Sequence, residues 1–278
     1  MFLIKKDKSI LELSILSIII FNIFLIISVP LSLFDQCLNI LLSIGIFEYF
    51  RNNKFEIKKK LGFFDVFVSF LIFFFTIYKS FLSYSFDENF IFFVLTFLLI
   101  SLLIINFSLK RLFLNWKVLL ISAIYPIQRL IYIPLSILLT PLSTALTWFL
   151  LNIFGFNAYT KGQEIFIGDG GVLVTFGCSG SNQIIFAVTA IFVLNLLIPF
   201  KKVFIFYWQI ILTIFITFLV NILRLCILSI FVDTYNSDSF SIFDLLHGSK
   251  GSLIFSLIST ALSCEIYKKL YSLEKVNY

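Results

Sequence analysis

The stretch Gly177-Cys178-Ser179-Gly180-Ser181-Asn182-Gln183 opens an apolar run that continues from Ile184 to Leu197. A thiol stands at the mouth of a hydrophobic segment, between two glycines that let other backbone approach closely. Ser179, Ser181 and Asn182 belong to the residue types that cap helix starts, so Cys178 is expected at a helix N-terminus. Unpaired amides and the helix dipole there favour a thiolate. Further along come Arg224, closing another apolar segment, and His247, the chain's single histidine.

The apolar run after Cys178 is one of many. Of 278 residues 60% are hydrophobic and 13% charged, and the mean hydropathy is +1.06. Runs of about 20 apolar residues, each long enough to cross roughly 30 Å of hydrocarbon, predict an all-α polytopic membrane protein. Eight spans are expected, over residues 10–29, 33–50, 61–82, 90–109, 118–139, 179–200, 203–223 and 252–267. The whole chain reads as a single integral membrane domain, with 1–117 a four-helix N-terminal part and 118–278 a core. The first apolar segment is followed by no small-residue cleavage pattern, and is expected to be a retained helix rather than a removed signal peptide. The 38 phenylalanines read as lipid-facing filler.

Residues 141–176 break the pattern. Thr144–Phe154 reads as a short helix lying in the interface. β-branched runs on either side of Gly168-Asp169-Gly170-Gly171 then predict a small extracytoplasmic β-hairpin leading into Cys178. Its polar edges exclude it from lipid. The loop 231–249, with Asp233, Asp238, Asp244 and His247, is expected to be polar and irregular.

The net charge of +6 does not point to nucleic acid, because the basic residues cluster between spans, as topology determinants do. With a cytoplasmic N-terminus and eight spans, sixteen of the 21 Lys and Arg fall on the cytoplasmic side. The chain is therefore expected in the cell membrane with both termini cytoplasmic. Cys178, Arg224 and His247 then all face outward. Four cysteines without paired spacing give neither a zinc motif nor a disulfide framework, and no metal or organic cofactor is implied.

Together these three residues suggest acyl transfer. Cys178 is the candidate nucleophile, favoured by the helix end and a nearby cation. His247 is the candidate general acid and base. Arg224 would stabilise the oxyanion or hold the substrate, since its guanidinium stays charged and offers several donors. Asn221, three residues earlier on the same helix face, would orient the guanidinium or a substrate amide. Plainer readings compete: Cys178 as a small core hydrophobe or disulfide partner of Cys226, Arg224 as a helix-end charge, His247 as a solvated loop residue. Arg129 reads first as a structural ion-pair partner of Asp35 or another acid, and second as a substrate contact. A transporter or flippase binding an anion through Arg129 and Arg224 is a rival. So is a non-catalytic subunit of an envelope or polysaccharide export machine.

Gly177-Cys178-Ser179-Gly180 heading one span, Asn221-Ile-Leu-Arg224 ending the next, and Leu246-His247-Gly248 before the last resemble the exosortase/archaeosortase family. The Tyr125–Pro141 region and the glycine-rich approach to Cys178 look similar too, so the resemblance is best over 120–267. It implies a membrane cysteine transpeptidase or protease using Cys178, Arg224 and His247, sortase-like in chemistry but not in fold. The implied substrates are secreted proteins ending in a sorting signal: a short motif (often Pro-Glu-Pro), a hydrophobic helix and a basic tail. The implied acyl acceptor is a nucleophile at the cell surface, and the implied surroundings are membrane lipid.

Overall fold

The computed structural model describes residues 2–29, 31–53, 62–86, 90–109, 116–168, 170–232 and 243–276. Eight helices follow one another: α1 Phe2–Ser28, α2 Leu33–Asn52, α3 Phe63–Phe86, α4 Ile91–Phe107, α5 Trp116–Ile153, α6 Ser181–Leu197, α7 Val203–Val232 and α8 Ser249–Val276. By length and apolar composition α1, α2, α3, α5 and α7 can each cross a membrane, while α4 and α6 are shorter apolar helices. The expected polytopic all-α architecture is present, with a helix at each of the eight expected spans. Much of the basic 51–60 loop lies outside the described residues, as do Asp169, Asp233 and Asp238.

The chain forms two compact units, Met1–Ile127 and Gln128–Tyr278. Within the first, polar side chains join helices whose lipid-facing surfaces offer no hydrophobic drive to associate. Asn22 Nδ2 donates to Asn39 Oδ1 at 2.7 Å, both residues fully buried, and fastens α1 to α2. Ser69 and Ser101 each donate to the other's carbonyl, at 2.8 and 2.9 Å, drawing α3 and α4 together.

The second unit carries the thiol. Helix α7 packs on α6 and α8, and α6 on α8. The short turn between α6 and α7 is held by Glu274 of α8, whose carboxylate accepts the Lys201 and Lys202 amides at 3.0 and 2.8 Å. At the other end stands a three-stranded antiparallel sheet, β1 Tyr159–Lys161, β2 Glu164–Ile167 and β3 Gly170–Leu173. The single expected hairpin is thus a meander. Its extra strand is short and exposed, and turns at Gly162, whose φ of +65° suits glycine. The sheet's inner residues Ile165, Ile167 and Val174 form one core with Leu151 of α5, Cys178, and Ile222, Leu225 and Leu228 of α7. The sheet therefore rests on protein.

Several helices outrun their expected ends, α8 and α3 among them. The separate interfacial helix expected at 144–154 is instead the continuation of α5 through Pro134 and Pro141. Hydroxyls near these prolines bond back to their own helix, Ser136 donating to Tyr132 O and Thr140 to Ser136 O. At 1.5 Å per residue, the 38 residues span roughly 57 Å, well beyond one hydrocarbon layer. Helix α7 likewise continues past Arg224 to Val232. Residues 243–247, expected as irregular loop, form a helical turn.

Gly170 packs so closely on α7 that a Cβ there would lie 2.6 Å from the Val232 side chain and 2.9 Å from its carbonyl. Gly170→Ala is therefore expected to lift the sheet from α7, and trypsin should cut after Lys161 several-fold faster than in the parent protein. An unchanged cleavage rate would count against this packing.

Candidate active site

Cys178 ends a 3-10 turn, Phe176–Cys178, three residues before the first residue of α6. The expected placement near a helix start is thus realised, but the capping differs. The N-cap is Gly180, with φ +89° and no side-chain cap. Ser179 Oγ instead lies 2.7 Å from Ser181 Oγ and donates to Phe176 O at 2.7 Å, which closes the turn on itself. Two other helices grip this turn from outside. Ser143 of α5 donates to Ser179 O at 3.0 Å, and Asn221 of α7 donates to Cys178 O at 3.0 Å. The nucleophile candidate is thereby fixed by its own backbone. Its side chain is 5% exposed and its thiol is free, as is that of Cys226, so no disulfide joins them.

Gly180 is where α6 and α7 touch. A Cβ added to it would sit 2.9 Å from Asn221 Nδ2 and 3.1 Å from Asn221 Cβ. The position also needs a left-handed backbone, so glycine is required on two counts.

Arg224 lies two turns inside α7 and is 1% exposed, so it neither terminates a helix nor reaches for solvent. Its Nε donates to Leu246 O at 3.1 Å and its Nη2 to His247 O at 3.0 Å. These are the last carbonyls of the 243–247 turn, where peptide dipoles leave negative charge. Its Nη1 is buried with no partner. No carboxylate among the described residues pairs with Arg224. Gly251, at the start of α8, packs so closely beneath Leu246 that a Cβ would overlap that residue's backbone.

His247 stacks on Phe243, ring centroids 5.1 Å apart and planes 10° from parallel. One side stays open to solvent. Partial burial pushes the imidazole below its ordinary range; the nearby guanidinium of Arg224 adds to this and Asp244 opposes it. At neutral pH the ring is therefore uncharged and able to accept a proton.

Hydrogen bonds and close packing thus gather Cys178, Ser179, Gly180 and Asn221, and tie Arg224, three residues along α7 from Asn221, to the turn that carries His247. Arg129 is not part of this group. It occupies an exposed position on α5, fourteen residues before Ser143 and so roughly 21 Å away along the axis. Sequence reading passed over Ser143, Gly251 and Gln183. The last is 1% exposed at the first turn of α6, with neither side-chain amide atom partnered.

Gly180→Ala is expected to destabilise the protein by about 1–3 kcal/mol through the left-handed strain and the collision with Asn221. Thermal unfolding in detergent checks this. Adding Asn221→Ala should recover the steric part alone, giving a favourable coupling in a double-mutant cycle.

Residues 32–264 match the family model described as transmembrane exosortase. No curated protein and no solved structure matches the chain. With most of its length covered by that match, the chain belongs to the transmembrane exosortase family of integral membrane proteins.

Proposed function

We propose that this exosortase is a cysteine transpeptidase that cleaves C-terminal sorting signals of secreted proteins and passes the acyl group to a surface acceptor. Residues 118–278 form its catalytic core, both termini lie in the cytoplasm, and the thiol works at the outer face. The observation that carries the reading is the state of Arg224. A fully buried cation holds the backbone on which His247 sits and keeps one nitrogen without a partner among the described residues.

Each group then has a step. Neutral His247 takes the thiol proton as Cys178 Sγ attacks the scissile carbonyl carbon. The carbonyl oxygen becomes an oxyanion, and the free Nη1 of Arg224 is the donor suited to it. The imidazolium returns its proton to the departing amine as the C–N bond breaks, leaving a thioester on Cys178. An acceptor nucleophile attacks the thioester, gives its proton to His247, and the thiolate leaves. Asn221 keeps the Cys178 backbone in place throughout. Arg129, far along α5, serves at most to guide the substrate's approach. A substrate docked by its hydrophobic tail presents its junction to the thiol as an effectively intramolecular partner.

Coexpression with a tagged secreted protein ending in motif, helix and basic tail tests this. Cys178→Ala should abolish processing, and a hydroxylamine-sensitive adduct should form on the parent enzyme alone. Full processing by Cys178→Ala would end the proposal. Arg224→Gln should lower the rate at least about a hundredfold, the usual scale for one oxyanion donor.

The histidine sets the pH dependence. Because its folded-state pKa is depressed, protonation that blocks proton uptake begins only below the ordinary value of about 6.5. The acid limb of kcat/KM should fall there, and Asp244→Asn should move it lower still, since Asp244 is the neighbour that raises it. An acid limb above pH 7 in the parent enzyme would contradict this assignment.

A further inference from the structure

Helices α6 and α7 form an antiparallel hairpin with arms of equal length. From Gly180 to Leu197 is roughly 26 Å and from Val203 to Asn221 roughly 27 Å, at 1.5 Å per residue. That equality agrees with the contact of Gly180 against Asn221. One turn deeper from this level, α6 presents Gln183 and α7 presents Thr217, three and four residues along the faces that already meet. Both are buried, Gln183 to 1% and Thr217 completely.

Neither is satisfied. Among the described residues Gln183 Nε2 and Oε1 and Thr217 Oγ1 have no hydrogen-bond partner, and on the level above, Asn221 Oδ1 and Arg224 Nη1 have none either. Thr213, Thr140 and Thr144 of this unit donate to their own helix, at Gln209 O, Ser136 O and Thr140 O, whereas Thr147 Oγ1, like Thr217 Oγ1, has no partner among the described residues. Gln209, two turns deeper still, donates to Ser263 O of α8. Among the described residues, several unpartnered buried atoms thus share the end of the hairpin nearest the thiol, while others are spread over Asn22, Asn39, Gln128, Thr147 and Gln209. A buried amide with both its donor and acceptor unmet is costly, and would be replaced by leucine at no loss if packing were its purpose.

A peptide bond attacked by Cys178 cannot be helical at that point, so its neighbours enter an apolar interior with unmet N–H and C=O groups. A primary amide presents a donor and an acceptor side by side, the complement of one peptide unit. Extended chain rises about 3.3 Å per residue, so one helical turn below the thiol corresponds to roughly two residues on the hydrophobic-tail side of the scissile bond. We propose that Gln183, assisted by Thr217, is a main-chain reading site that holds an extended peptide unit of the substrate beside the scissile bond. This rests on the transpeptidase reading above and adds to it a positioning residue that recognises backbone rather than side chain.

The test is binding, made on the full chain carrying Cys178→Ala so that chemistry does not intervene. The probe is a synthetic peptide with a Pro-Glu-Pro motif, about twenty leucines and alanines, and four lysines. With Gln183→Leu added, the Kd should rise at least tenfold while the melting temperature in detergent stays equal or rises, because an unmet polar group has been removed. Gln183→Asn, one methylene shorter, should recover part of the binding. Equal affinity of the Leu variant overturns the proposal, as does a fall in its melting temperature, which marks an interhelical strut. Failure of the Cys178→Ala protein itself to bind the probe also overturns it. Binding that depends on Gln183, joined to unimpaired processing by Cys178→Ala, would remove the transpeptidase reading and leave the peptide site standing.

Discussion

A permanent positive charge inside a helix bundle is the constraint around which the second unit is built. Removing a guanidinium from water costs several kcal/mol unless donors and charge are met. Arg224 meets most of that demand with two backbone carbonyls at the end of a helical turn, where the peptide dipoles already point the right way. This choice has structural consequences. The carbonyls belong to Leu246 and His247, so the cation fixes the loop that carries the imidazole, and with it the start of α8. A carboxylate partner would have neutralised Arg224 and left that loop unheld. Using carbonyls leaves net charge in place, available to a thiolate or an oxyanion.

Close approach is the second requirement, and it falls on glycines. Gly180 admits Asn221 so that its amide reaches the Cys178 carbonyl, and Gly251 admits the Leu246 backbone so that its carbonyl reaches Arg224. Two bonds of the site, Asn221 to Cys178 O and Arg224 Nε to Leu246 O, thus have a missing side chain behind them. The thiol and the imidazole are placed through main-chain atoms, and their own side chains remain free for chemistry.

The fold was legible because hydrocarbon thickness imposes a length that composition reveals directly. Cys178, Asn221 and Arg224 stand out in the sequence because polar residues inside apolar runs need a reason to be there, and His247 because it is the single histidine. The missing parts have physical causes. Pro134 and Pro141 signal breaks in water, but beside serine and threonine hydroxyls they are carried within one long helix. The ends of α7 and the turn at 243–247 are set by tertiary contact with the sheet and with Arg224, which local sequence does not encode. Strand β1 is three exposed residues with no hydrophobic period. Gln183 reads as an ordinary helix-start residue until the level of Gly180 against Asn221 is known.

That level also brings several open polar atoms together. Elsewhere in the bundle Gln209, Ser69, Ser101, Asn22 and Asn39 each take part in an interhelical hydrogen bond, though Gln209 Oε1, Asn22 Oδ1 and Asn39 Nδ2 have no partner among the described residues. Near the thiol the same residue types stand open: Gln183, Thr217, Asn221 Oδ1 and Arg224 Nη1. An apolar filling there would hold the helices together better and bind nothing. Unmet donors and acceptors gathered beside a fixed cation and a free sulfur are what the proposed site for an unfolded peptide in an apolar interior requires. Backbone entering that interior without a helix of its own must find its partners on the protein.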